Sequence, residues 1–141
     1  MIQRIQSVWL LLAALAGFLL YSLPLWKGLL QDGTEKIFLG SEKLILFIII
    51  IATSVLALVT LFLFKNRKLQ KSLCLLGALF SILIIVLEFL YVEDFRVATD
   101  FKENRWQIGA VLPVVMFILF MMAYGGIRKD EKLVKSLERL R

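Results

Sequence analysis

Four long apolar runs, at residues 8–25, 44–64, 73–92 and 106–127, constrain what this chain can fold into more than any other feature. Each has roughly the 20 residues that an α-helix needs to cross a hydrocarbon layer about 30 Å thick. A helix also satisfies its own backbone hydrogen bonds, which hydrocarbon cannot do for it. The expected fold class is an all-α membrane protein: one four-transmembrane-helix bundle filling residues 1–141, with a tail at 128–141. A content of 60% hydrophobic residues and a mean hydropathy of +0.86 lie outside the range of soluble domains, and the short connections leave no room for a second domain.

The net charge of +6 is explained by its distribution. Arg4, the 65–71 connection (Lys65, Arg67, Lys68, Lys71) and the tail (Arg128, Lys129, Lys132, Lys135, Arg139, Arg141) hold 11 of the 17 Lys and Arg. The other two connections hold six, Lys27, Lys36, Lys43, Arg96, Lys102 and Arg105, offset by seven acids. The positive-inside rule therefore puts both termini and the middle loop in the cytoplasm, and segments 26–43 and 93–105 outside. The same rule accounts for the basic clusters, so no specific nucleic acid is expected as a partner.

Cleavage of a signal peptide after Ala16 would leave only about eight apolar residues after Ser7, at the short end for such a segment, so an uncleaved helix is expected. A single cysteine, Cys74, allows no intramolecular disulfide and no paired-thiol chemistry. The lack of histidine removes the commonest metal ligand and general base. No cofactor, metal site or catalytic residue is expected, and the chain reads as a non-enzyme.

Trp9 and Tyr124 on the inner side, and Trp26, Tyr91 and Trp106 on the outer side, fit an interfacial aromatic belt. Helix contact faces in lipid carry small and weakly polar residues. Cys74, Gly77, Ala78, Ser81, Ile85 and Glu88 form such a stripe, matched by Thr53, Ala57 and Thr60 and by the pair Ala13 and Gly17. Glu88 is the one ionisable residue within a run, roughly 6 Å by helical rise from its outer end. The plainer expectation is a structural carboxyl, protonated or bonded to Gln107, Tyr21, Ser22, Lys43 or Arg105; the sharper one is a coupling or substrate site. Pro113, inside the fourth run, would free the carbonyl of Gly109 and kink the helix. Tyr21, Ser22, Glu88, Gln107 and Gly109 are thus the candidate residues of a shallow outward-opening polar pocket, with a ligand-free packing kink as the plainer alternative.

In the first outer loop Asp32-Gly33 suits a type I′ turn, which predicts a short β-hairpin over the helix ends. Phe95, Val97 and Thr99 alternate with polar residues and would add one strand. Gly125-Gly126 predicts a helix stop or hinge, followed by an amphipathic C-terminal helix capped by Asp130, with Leu133, Val134, Leu137 and Leu140 on one face. That face lies on anionic lipid or docks a partner.

The opening Met1-Ile2-Gln3-Arg4-Ile5-Gln6 with Leu10-Leu11-Leu12, the Gly109-x-x-Leu112-Pro113 of the fourth run, and the charged close from Lys129 to Arg141 carry a resemblance. With them the whole chain resembles a four-span inner-membrane family of Bacteroidota classed as a domain of unknown function. The resemblance implies a bacterial inner (cytoplasmic) membrane protein and transfers no catalytic residue. The leading expectation is an accessory or scaffold subunit of a larger membrane assembly, with the lipid bilayer and a membrane-protein partner or a second copy as its partners. The alternative is a small dimeric transporter using Glu88. Four-span exporters resemble this chain in size and helix number, but carry their key carboxylate in the first span, where this sequence has none.

With Cys74 replaced by Ser, an impermeant thiol reagent added to intact cells should label a cysteine placed at Asp32 and spare one placed at Ser136. The opposite labelling would reverse the orientation.

Overall fold

The computed structural model describes residues 3–64, 66–97 and 101–139. Within them lie helices α1 (Gln3–Ser22), α2 (Leu44–Phe62), α3 (Arg67–Val97) and α4 (Leu112–Arg139), strands β1 (Pro24–Leu30), β2 (Glu35–Leu39) and β3 (Phe101–Trp106), and a single 3-10 turn, Ile108–Val111. All four helices are long and apolar enough to cross a membrane. The strands form one antiparallel sheet in the order β2-β1-β3. Because β1 and β2 join α1 to α2, and β3 joins α3 to α4, the sheet gathers one end of every helix. The helices therefore alternate in direction, and around the bundle α1 and α3 each pack against α2 and α4. We call the two ends of the molecule the sheet end and the tail end.

Helix α2 is rich in Ile, Val and Thr, poor helix formers in water, yet it spans 19 residues. Hydrocarbon leaves its backbone no alternative partner. At the tail end a short turn leads into α3, whose first turn is capped where Asn66 Oδ1 accepts the Leu69 N–H at 3.3 Å.

The core forms two layers. Toward the tail end Leu10, Ala13, Ala57, Cys74, Ala78, Phe120 and Ala123 are buried together. Toward the sheet end lie Leu20, Trp26, Phe38, Ile50, Ile84 and Met116. The stripes of small residues face inward as expected: Ala13, Gly17, Thr53, Ala57, Thr60, Cys74, Gly77, Ala78, Ser81 and Glu88 are all buried, while Ile85 is half-buried and Ile84 takes the inner place. The hydroxyls of Thr53, Ser54, Thr60 and Ser81 donate to the carbonyls of Ile49, Ile50, Leu56 and Gly77, four residues back in their own helices, at 2.7–2.9 Å. These hydroxyls thus keep the contact faces small and are satisfied within their own helices. The outer face is apolar, with Leu44, Ile45, Ile48, Val55, Val59 and Phe62 of α2 all exposed.

Several expectations are corrected. The fold adds a three-stranded sheet to the helices, because Pro24 cannot continue the backbone ladder of α1 and opens β1 instead. The hairpin exists, but Gly33 alone has a positive φ, at 81°, so its turn is not type I′. The Gly33 N–H bonds the Leu30 carbonyl at 3.1 Å, as in a type I turn closed by a left-handed glycine. The extra strand is β3 at 101–106; Phe95 and Val97 belong to α3, and Thr99 lies outside the described residues. Helix α3 runs on past Val92 with Arg96 bridging Glu93 at 3.0 Å. Pro113 is the second residue of α4, where its missing N–H interrupts nothing, so no kink is required. Gly109 keeps a partner for its carbonyl, the Leu112 N–H. Gly125-Gly126 neither stops nor hinges the chain: α4 passes through both, and the bare face of Gly126 seats the side chain of Gln6. Asp130 is consequently mid-helix and caps nothing. Trp26 is no belt residue, since it is 1% exposed beneath the sheet, with the rings of Phe95 and Phe101 edge-on to it at 5.7 and 4.8 Å.

The ring of Phe120 lies directly over Gly77, so a methyl group there would collide with it. Gly77→Ala should lower the thermal midpoint in detergent, at an overpacking cost of about 1–3 kcal/mol. Phe120→Leu in the same chain should recover most of the loss, and a midpoint unchanged by Gly77→Ala alone would contradict the contact.

Candidate functional site

Helical spacing places Glu88 on the face of α3 that carries Cys74 and Ser81, turned into the molecule. It is 3% exposed, and its Oε1 atom is buried without a hydrogen-bond partner. Buried polar atoms almost always have one. The carboxyl borders an open cavity of about 530 Å³ at the sheet end, lined by Ile85, Phe89, Trp106, Gln107, Ile108, Ala110 and Val111. The far wall is thus the segment between β3 and α4. That segment is pinned to β1 where the Gln107 N–H donates to the Leu25 carbonyl at 3.0 Å. Gly109 is pressed against the Pro24 carbonyl, a contact that leaves no room for a Cβ.

The cations that might have paired with Glu88 are occupied elsewhere. Lys43 sits over the Tyr91 ring at 5.6 Å, Arg96 bonds Glu93, and Arg105 lies 3.9 Å from Glu103. Tyr21 and Ser22 are exposed and do not line the cavity; Tyr21 packs against Phe47 at 5.8 Å between ring centres. Of the five residues expected in one pocket, Glu88 and Gln107 meet there, while Gly109 is buried behind the wall as a packing residue. The apolar lining was missed, because the sequence shows a helical run where the chain makes a strand and a 3-10 turn.

A second polar group closes the tail end. Gln6 Nε2 donates to Asp130 Oδ2 at 2.9 Å in a buried bond between the first and last helices. Gln70 Nε2 donates to the Thr60 carbonyl at 3.2 Å, and Lys71 pairs with Glu131 at 2.8 Å. A cavity of about 440 Å³ opens beside them, bordered by Arg67, Phe62 and Phe64. The one signal for this cluster in the sequence is an acid, Asp130, set among basic flanking residues. Of the candidate docking residues, Leu133 and Val134 are exposed on α4. The side chain of Leu137, and Leu140 altogether, lie outside the described residues.

Four membrane-length helices of alternating direction, tied by a sheet at one end, define a polytopic helical membrane protein. The chain belongs to the family described as a domain of unknown function, DUF4293, whose model matches residues 2–140. No curated protein and no solved structure matches it.

Because Glu88 is buried and unpartnered, an apolar side chain of similar length should suit its place better. In phosphatidylcholine, Glu88→Met should raise the thermal midpoint, removing a penalty of about 1–3 kcal/mol. A marked fall in the midpoint would mean that the carboxyl is held by a bond within the protein.

Proposed function

We propose that this protein is a non-enzymatic accessory or scaffold subunit of the bacterial inner membrane, with both ends cytoplasmic, that uses the end of α4 to engage a membrane-protein partner or a second copy. The observation that carries this reading is the continuity of α4 through Gly125-Gly126 to Arg139. From Ile127 onward the helix adds about 18 Å by its rise. The buried Gln6–Asp130 bond and the Lys71–Glu131 pair brace its root. A braced extension with Leu133 and Val134 exposed suits a docking post better than a flank lying flat on lipid. The excess of Lys and Arg at this end supports the cytoplasmic assignment.

Transport through Glu88 is the second reading, favoured by the buried unpartnered carboxyl. A transporter would need its site to reach both sides in turn. The Glu88 cavity is lined by sheet-end residues alone, and the layer containing Cys74, Ala78 and Phe120 lies between it and the tail-end cavity. That separation puts the accessory role first.

Affinity capture from native membranes tests the role. Truncation after Lys132 keeps both Asp130 and Glu131, so the protein should still accumulate while its partner, or second copy, falls to background. Leu133→Ser combined with Val134→Ser should do the same at unchanged net charge, which separates docking from attraction to anionic lipid. Undiminished recovery with both variants would refute the docking role.

A further inference from the structure

The Glu88 cavity has walls of one kind and a floor of another. Ile85, Phe89, Ile108 and Val111 make the walls apolar, and all but Ile85 are exposed, so the mouth opens on the lipid-facing flank of the molecule. The polar features within are the Glu88 carboxyl and Gln107. Glu88 lies five residues before Glu93, about 7.5 Å deeper along the helix, just inside the first charged flank. A molecule filling this space must be apolar over most of its length and polar at one end, and it enters from the bilayer.

The floor also selects the sign of that end. Oε1 is an acceptor without a donor, and Lys43, Arg96 and Arg105 each have another partner. A carboxylate repels phosphate and carboxylate groups, whereas an ammonium offers both N–H donors and the opposite charge. Trp106, half-exposed at the rim, adds an aromatic face that attracts cations. A volume of about 530 Å³ holds an ammonium group and the first part of its apolar chain, within the range of small-molecule sites. The geometry points to a binding site for a protonated primary amine carrying an apolar body, held by Glu88 at the sheet end. A free lipophilic amine is such a molecule, whereas the ammonium of phosphatidylethanolamine lies beside a phosphate that the carboxylate repels. The site stands independently of the docking role of α4.

The full chain in phosphatidylcholine nanodiscs tests the site, with native mass spectrometry used to count retained amphiphile. Dodecylamine is the probe, with dodecanol as the uncharged control. Saturable binding near one per chain is expected, about tenfold or more stronger for the amine than for dodecanol, as a charge-assisted hydrogen bond provides. Glu88→Gln should abolish that preference, and Val111→Trp should block the cavity without touching the carboxyl. Amine binding that both folded variants lose supports the site. Three results overturn it: no saturable amine binding to the folded parent chain, equal binding of dodecanol, or binding that survives either folded variant. If Glu88→Gln fails to fold, Val111→Trp at the exposed rim decides the matter alone.

Discussion

Burying one apolar helix against another gains nothing in hydrocarbon, because the lipid chains left behind are equally apolar. What holds this bundle together is the closeness with which its helices can approach. Gly77 accepts the ring of Phe120 against its backbone, and Ala13, Ala57, Ala78 and Ala123 are buried in the same layer. The hydroxyls on the contact faces bond within their own helices and so present no unsatisfied donor to the core. The attraction is therefore dispersion between well-fitted surfaces, and a single added methyl group matters because no solvent effect compensates for it.

At the sheet end a different principle takes over. Here the chain leaves the helices, and its backbone groups need partners that β2-β1-β3 supplies. The sheet is seated by aromatic packing. Trp26 from β1 meets Phe95 from α3 and Phe101 from β3, and Phe38 from β2 closes on Phe95 at 5.7 Å. One cluster thus joins every strand to α3, and the wall of the Glu88 cavity is the continuation of that sheet.

The spans were legible because hydropathy is a one-dimensional signal, and so were the inward faces of α2 and α3, since small residues recur at helical spacing. The hairpin could be read from Asp32-Gly33, though not its turn type. The start of the fourth helix was obscured: Trp106, Ile108 and Val111 are as apolar as a helix would be, and the interruption comes from pairing of β3 with β1, a long-range contact that no local pattern encodes. The continuity of α4 was hidden for the opposite reason. Two glycines have the weakest intrinsic helix preference short of proline, yet packing against Gln6 and a membrane setting keep them helical. Of the candidate site, Glu88 was visible as an isolated charge and Gln107 as its neighbour. Tyr21 and Ser22 point elsewhere because α1 presents them to the outside.

The two ends of the molecule are closed by bonds of different kinds. At one, a hydrogen-bonded backbone ladder links the loops that serve all four helices. At the other, the outer pair of helices is joined by side-chain contacts such as Gln6 to Asp130. A ladder opens cooperatively, whereas a side-chain bond breaks and re-forms singly. Mechanically the bundle is a pair of tweezers with the sheet as its bow. Whatever grips the far end of α4 therefore loads side-chain contacts that can yield and re-form one at a time, and the backbone ladder beside Glu88 is the last part of the molecule to feel the pull.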